Sequence, residues 1–286
     1  MKLAVYTILM PEFSLEELGQ FLSETGYDGL ELRVLEISEE QKKKGYCFAG
    51  DFKNDINPKN LKVKAPLVKA VCDKYKLRVC GLGTYVKCFE LEVMEELCRN
   101  LKTLDCRTFR VIMPPYPNDN RDRNQMFTDT VKALAEIEKL VKKYDAKVLI
   151  ETHMNMITPS ASAAYRLVSN FDPEHVGVIF DPGNMVFEGF ENYRQGIQLL
   201  GRYLAHVHVK NYQWQIKETT PDGFIIWQPK PCLPWEGVAN LKQFAEELKQ
   251  AGYDGWVSLE DFNITGDNRK KLIDDHKFMN SIFNGA

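Results

Sequence analysis

The chain has 286 residues, 27% of them charged and 44% hydrophobic, and 37 basic against 40 acidic side chains leave a formal net charge of −3. That is the balance of an ordinary globular protein, and it excludes a basic groove for nucleic acid and a polybasic patch for a membrane surface. The length suits either two ordinary domains or one α/β barrel, which routinely occupies about 250 residues as a single unit.

In chain order, short β-branched or apolar runs alternate with amphipathic stretches. The runs are LAVYT from Leu3, DGLELRV from Asp28, LRVCGLGTY from Leu77, TFRVIMP from Thr108, AKVLIE from Ala146, VGVIFD from Val176, LAHVHV from Leu204 and GWVSLED from Gly255. Each is almost continuously apolar, as a strand buried on both faces of a parallel sheet should be. Between them, helical spacing covers Ser14 to Thr25, Pro58 to Tyr75, Glu90 to Leu104 and Gln125 to Tyr144. It also covers Ser160 to Ser169, Asn192 to Leu200, Val238 to Ala251 and Asn268 to Phe283. The first of these opens with a capping box, Ser14 with Glu17, and closes at Gly26.

Eight strand-then-helix units predict a (β/α)8 TIM barrel in a single domain. A doubly wound open sheet is the alternative, but it normally carries a glycine-rich turn after its first strand, and YTILMPEF has no glycine. Two connections are long, from about Leu35 to Asn57 and from about Asn211 to Gly237, and both follow strand C-termini. The second holds Trp214, Trp227 and Trp235, which read either as a substrate wall or as packing for the loop itself. The seven cysteines, Cys47, Cys72, Cys80, Cys88, Cys98, Cys106 and Cys232, are odd in number and never spaced as CxxC, and read as reduced thiols of a cytoplasmic protein. MKLAVYTILMPEF is too short an apolar run for a leader or a membrane span.

The ends of the last four strands carry the chemistry. VLIE ends in Glu151, VIFD in Asp181 and VSLE in Glu260, while AHVHV places His206 and His208 on one face. In a barrel these ends meet at one mouth. Taken singly, each acid reads equally well as a helix cap or a surface charge; together, behind apolar strands, they need pairing or a metal. Three carboxylates and an imidazole suit one divalent ion: Mn²⁺, Mg²⁺, Co²⁺ or Zn²⁺. His208 is nearer the strand end and is the preferred ligand, with His206 a layer deeper; His175 and His276 read as surface residues. By alternation Lys210 shares the face of His208 and is placed to hold a carboxylate, a phosphate or an enediolate oxygen. His153, two residues after Glu151, is placed for a substrate hydroxyl, and Glu31 and Arg33 contact either substrate or each other.

These motifs, GYDGLELR around Glu31, LIETH, FDPGN, HVHVKN and PWEGVANLKQFAEELKQAGYDGWVSLED, resemble the xylose isomerase-like barrel superfamily, the sugar phosphate isomerase/epimerase group. The resemblance runs over essentially the whole chain and implies one barrel over residues 1–286. It implies that Glu151, Asp181, His208 and Glu260 bind one divalent metal, often Mn²⁺. It also implies that Glu151 and Glu260 are catalytic proton carriers through a metal-bound cis-enediolate, as in ketose 3-epimerases. Asn184 and Glu236 match family positions near the site, and Trp235 of the aromatic loop is a candidate substrate contact. The expected activity is therefore a metal-dependent isomerase or epimerase of a sugar or polyol. An inosose dehydratase-like lyase and a non-catalytic sugar-binding barrel are the alternatives, and pairing into a homo-oligomer is left open. Two departures qualify this. With five histidines in all, a trinuclear nuclease site is poorly supplied, and the segment after His208 reads VKNYQW, without the glutamate and arginine found in ketose 3-epimerases.

Overall fold

Runs that are apolar on both faces bury themselves in a sheet that curls on itself and is covered by helices. The computed structural model describes residues 1–116, 121–263 and 266–285 and closes eight of these strands into a ring. The first half runs β1 (Lys2–Tyr6), α1 (Leu15–Thr25), β2 (Gly29–Val34), α2 (Glu39–Lys42), α3 (Leu61–Tyr75), β3 (Arg78–Thr84), α4 (Leu91–Leu101), β4 (Thr108–Val111) and α5 (Arg123–Lys143). It continues with β5 (Lys147–Glu151), α6 (Ala161–Val168), β6 (Val176–Phe180), α7 (Pro182–Glu188), α8 (Tyr193–Leu200) and β7 (Leu204–Val209). The chain ends with β8 (Asn211–Thr219), β9 (Ile225–Cys232), α9 (Leu241–Gln250), β10 (Trp256–Leu259) and α10 (Asn268–Phe283).

The barrel strands are all parallel, and β1 closes the ring by pairing with both β2 and β10. Register then brings the strand ends together: Ser258 sits beside His208, and Glu151 beside Ile179. The expected barrel is therefore present, and the open-sheet alternative is not. Outside it the helices pack by their apolar faces. Phe180 of β6 meets Phe244 of α9 at 5.0 Å between ring centroids, and Phe244 meets Tyr193 of α8 at 5.1 Å. Phe180 and Phe244 are fully buried, each contributing about 1.5–3 kcal/mol. Truncating Phe244 to alanine would cost about 3–5 kcal/mol through transfer and cavity terms.

The capping box at α1 is formed: Ser14 Oγ accepts from the Glu17 amide, Glu17 accepts from the Ser14 amide, and Gly26 ends the helix at φ +99°. Three segments depart from the sequence reading. The connection after β2 contains α2, opened by a second capping box, Ser38 with Gln41. A short helix, α7, follows β6 directly, with Asp181 as its cap and Pro182 in its first turn. The long connection after β7 is a β-hairpin, with Trp214 opposite Pro229 and Ile216 opposite Trp227. Trp214, Ile216, Phe224 and Trp227 on it are exposed. Among the described residues no helix is long and apolar enough to cross a membrane, and the seven cysteines are free.

Candidate functional site

Each side chain at the mouth is placed by a strand end. Glu151 is the last residue of β5, Asp181 follows β6 and caps α7, His208 sits one residue before the end of β7, and Glu260 follows β10. Their ligand atoms lie within 4.8 Å of one another and all four are buried. His208 Nδ1 is 3.1 Å from Glu151, 3.5 Å from Glu260 and 3.7 Å from Asp181. His208 is thus the histidine that reaches the carboxylates. Its other nitrogen, Nε2, lies 2.9 Å from Glu31 Oε2, and His206 lies 3.4 Å from the same oxygen. A carboxylate behind a ligating imidazole fixes which ring nitrogen faces the ligand. Of the two readings left open for Glu31 and Arg33, contact with each other is not the one formed: Glu31 meets His206 and His208, and Arg33 is stacked over Phe52.

Two cations enter the cluster. Lys210 Nζ touches Glu260, lies 2.8 Å from Asp181 Oδ2 and 3.6 Å from Glu151. The approach to Asp181 Oδ2 is an ion contact without hydrogen-bond alignment, so this buried oxygen has no donor of its own. Arg110, in the middle of β4, places Nη1 2.6 Å from Glu151 and 3.9 Å from Glu260, while its Nε donates to the Thr84 carbonyl. Sequence reasoning missed Arg110. The available signal was a charged residue inside the apolar run TFRVIMP, which an inward strand position must compensate.

Burial pushes the Glu151 carboxyl up, but Arg110, Lys210 and His208 outweigh it and hold it well below the usual carboxylate range. Burial raises the Glu260 carboxyl and is likewise outweighed, by Lys210 and His208. Burial pushes His208 down, yet Glu31 and Glu260 raise it well above its ordinary value. Burial also lowers Lys210, and Asp181, Glu260 and Glu151 together raise it well above its own.

Packing holds this arrangement. Asn184 donates to Glu151 Oε1 at 2.9 Å and to the Thr152 carbonyl at 3.2 Å, while its own amide is capped by Asp181 Oδ1. Gly183 lies so close to the Lys210 backbone that a Cβ there would stand 2.5 Å from the Lys210 carbonyl oxygen; glycine lets α7 lean on the lysine stem. Gly83 does the same for Tyr6, whose ring would meet a Cβ at 2.2 Å and whose hydroxyl donates to the Gly83 carbonyl. That seats Tyr6 beside Arg110 and His208.

The remaining expected contacts lie further out. His153 is half-buried, bonded through Nδ1 to the Met154 carbonyl, and lines a small cavity with Glu151. Trp235 is exposed and packs on Phe278, and Glu236 is exposed, so neither joins the cluster; both sit where the chain returns from the hairpin. That return is pinned by Asn211, which donates to the Pro234 and Ala239 carbonyls. His175 and His276 are half-buried rather than free on the surface, with His276 edge-on to Tyr27.

A fully parallel eight-stranded barrel with carboxylates and a histidine at its C-terminal rim defines a class. The family model for the xylose isomerase-like TIM barrel matches residues 20–282, and the chain belongs to that family. It is 23% identical over 149 residues, 49% of this chain and 50% of the other, to an inosose dehydratase of Geobacillus thermodenitrificans (strain NG80-2). The chain spans about half the length of the curated relative it matches there. In fold it is similar to the 3-keto-D-glucoside 4-epimerase YcjR from E. coli, with a TM-score of 0.74 and 17% identity over 98% of this chain and 99% of that one. It is similar also to IolI solved with a bound zinc atom, with a TM-score of 0.74 and 17% identity over 100% and 99%.

Proposed function

We propose that this chain is a divalent-metal-dependent isomerase or epimerase of a sugar or a related polyol or keto sugar. The carrying observation is the buried convergence of Glu151, Asp181, His208 and Glu260, whose ligand atoms lie within 4.8 Å of one another. These four residues would hold the ion. An all-oxygen-and-imidazole set without thiolate fits Mn²⁺, which we favour, and equally accepts Mg²⁺, Co²⁺ or Zn²⁺. Such an ion supplies Lewis acidity to a carbonyl and its neighbouring hydroxyl.

The chain's own residues do the rest. Glu151 and Glu260 are proton carriers at a carbon between the two oxygens. Arg110 and Lys210 favour the ionised form of Glu151, and Lys210 and His208 that of Glu260, the form that accepts a proton. Polarisation of the carbonyl would acidify the C–H bond that these carboxylates address. Lys210, held among Glu260, Asp181 and Glu151, would stabilise an oxygen on which charge develops, and Asn184 keeps the Glu151 carboxylate aimed. If both glutamates act, from opposite faces, the product is an epimer. If one acts and the proton returns to the adjacent carbon, an aldose and a ketose interconvert.

The test is incubation with candidate ketoses in D₂O: one deuterium entering substrate with no loss of water supports the reading. Similarity to an inosose dehydratase supports a second reading, a lyase, for which the product is lighter by one water. Failure of purified protein to bind any divalent ion would remove both and leave a sugar-binding barrel.

A further inference from the structure

Two arginines stand on barrel strands at this mouth, and only one is paired. Arg110 has Glu151 and the Thr84 carbonyl. Arg33 is 4% exposed, and Nε and Nη1 of its guanidinium are buried without a hydrogen-bond partner. Among the described residues no carboxylate forms an ion pair with it. The groups whose fields reach it are Tyr6, Tyr85 and Asp55, and burial pushes the guanidinium down. Phe52 covers one face, 3.7 Å from Cζ to the ring centroid. Stacking of this kind offsets part of the burial cost and leaves the in-plane N–H donors unmet.

Position gives that unmet edge a meaning. Arg33 follows Glu31 by two residues on β2, so it stands on the same inner face, about 7 Å nearer the C-terminal rim. Glu31 touches His208. Tyr6 and Tyr85, whose fields reach the guanidinium, are the same rings that stand beside Arg110, which puts Arg33 on the mouth side of the strand. A neutral hydroxyl would accept one of these N–H groups but would not neutralise the buried charge. A carboxylate or phosphate does both, through the bidentate geometry that guanidinium favours.

We propose that Arg33 recognises an anionic group, carboxylate or phosphate, at the end of the substrate remote from the reacting carbons. This rests on the reading of the cluster as a sugar-converting metal centre. The substrate is then a sugar acid or sugar phosphate rather than a neutral hexose.

The test uses the full chain, titrated first with Mn²⁺ and then calorimetrically with D-fructose, D-fructose 6-phosphate and D-fructuronate. At least one anionic sugar is expected to bind about tenfold to a hundredfold more tightly than D-fructose, from two charge-assisted hydrogen bonds. Whichever anion wins identifies the group. Arg33→Met should abolish that preference while changing D-fructose binding less than about twofold, and Arg33→Lys should restore part of it. Arg33→Met should also leave the Tm of the ligand-free protein unchanged or raised, because an unpaired buried charge is removed. A fall of several degrees would mean that Arg33 is structural and would overturn the proposal. So would equal affinity for neutral and anionic sugars, equal losses for both in Arg33→Met, or no binding of either anion. Failure to take up Mn²⁺ with the Arg33-dependent preference intact would refute the metal reading alone.

Discussion

Arg110→Met tests whether the carboxylate cluster is held together by its two buried cations. Four acids meet at the mouth, Glu31, Glu151, Asp181 and Glu260, against the cations Arg110 and Lys210, with His208 among them. Removing Arg110 leaves Glu151 buried with its closest charge partner gone, 2.6 Å away in the wild type, and frees the Thr84 carbonyl. Breaking a buried pair from one side typically costs about 3–5 kcal/mol. A chain of 286 residues unfolds with an entropy of about 0.6 kcal/mol per kelvin, so Tm should fall by about 5–8 °C. The assay is thermal unfolding by circular dichroism in chelator, repeated with Mn²⁺. Ion at a hundredfold excess over its dissociation constant adds about 2.7 kcal/mol and should recover much of the deficit. The pH dependence follows with its own sign. A carboxyl depressed in the folded state contributes stability above its unfolded pKa and loses it as pH falls through the folded value. In the wild type that loss lies well below the usual carboxylate range, and in Arg110→Met it should move to higher pH. A Tm within about 2 °C of wild type at neutral pH would refute the reasoning, since no buried charge would then have been left uncompensated.

Glu31→Gln should weaken Mn²⁺ binding by about ten- to a hundredfold, because Gln does not hold the His208 Nε2 proton as a carboxylate does; chelator competition measures it, and an unchanged affinity removes the orienting role. Lys210→Met should act the other way, since the ammonium and a divalent ion compete for Glu260 and Asp181. Tighter metal binding with a lower metal-free Tm is expected, and weaker metal binding would refute the competition. Asp275, on the buried face of α10 against Lys271, has its carboxyl pushed up by burial to about 7 from 3.8. A raised acid is stable while protonated, and that stability drains as pH rises from about 4 to 7. Asp275→Asn should therefore stabilise the chain by up to about 4 kcal/mol at pH 8 but only about 1–2 kcal/mol at pH 5; urea unfolding at both pH values checks the difference.

The barrel was legible because its strands announce themselves twice, by continuous apolar runs and by the polar turns that bound them. Helix α1 was legible down to its caps, since Ser14, Glu17 and Gly26 each act locally. The elements that escaped lack such redundancy. Helix α2 has four residues, none buried, so it leaves no apolar period to detect. Helix α7 has no polar face to show its period: five of its seven residues are buried and its cap is a strand-end acid. The hairpin β8–β9 did carry a signal, the Pro-Asp-Gly turn at Pro221–Gly223 between two β-rich runs, but its tryptophans drew attention to a substrate wall or loop packing rather than to strand pairing.

The cluster was legible for the same reason as the strands: Glu151, His208 and Lys210 follow from alternation and strand order, which are local rules that closure turns into proximity. Arg110 was not, because compensation is a property of the closed ring; nothing near it in sequence says which acid it will meet. Asp181 shows why weighing a cap against a ligand was the wrong choice to pose. Its Oδ1 accepts from the Asn184 amide and so fixes the side chain on α7, which leaves Oδ2 facing Lys210 and His208 in one orientation. The cap is what aims the second oxygen into the mouth. The glycine between them matters equally, because any Cβ at Gly183 would push the helix off the Lys210 backbone and carry Asp181 with it. The motif DPGN is thus one device with three parts: an acid that caps and faces the mouth, a glycine that lets the helix approach, and an asparagine whose carboxamide steadies the neighbouring glutamate.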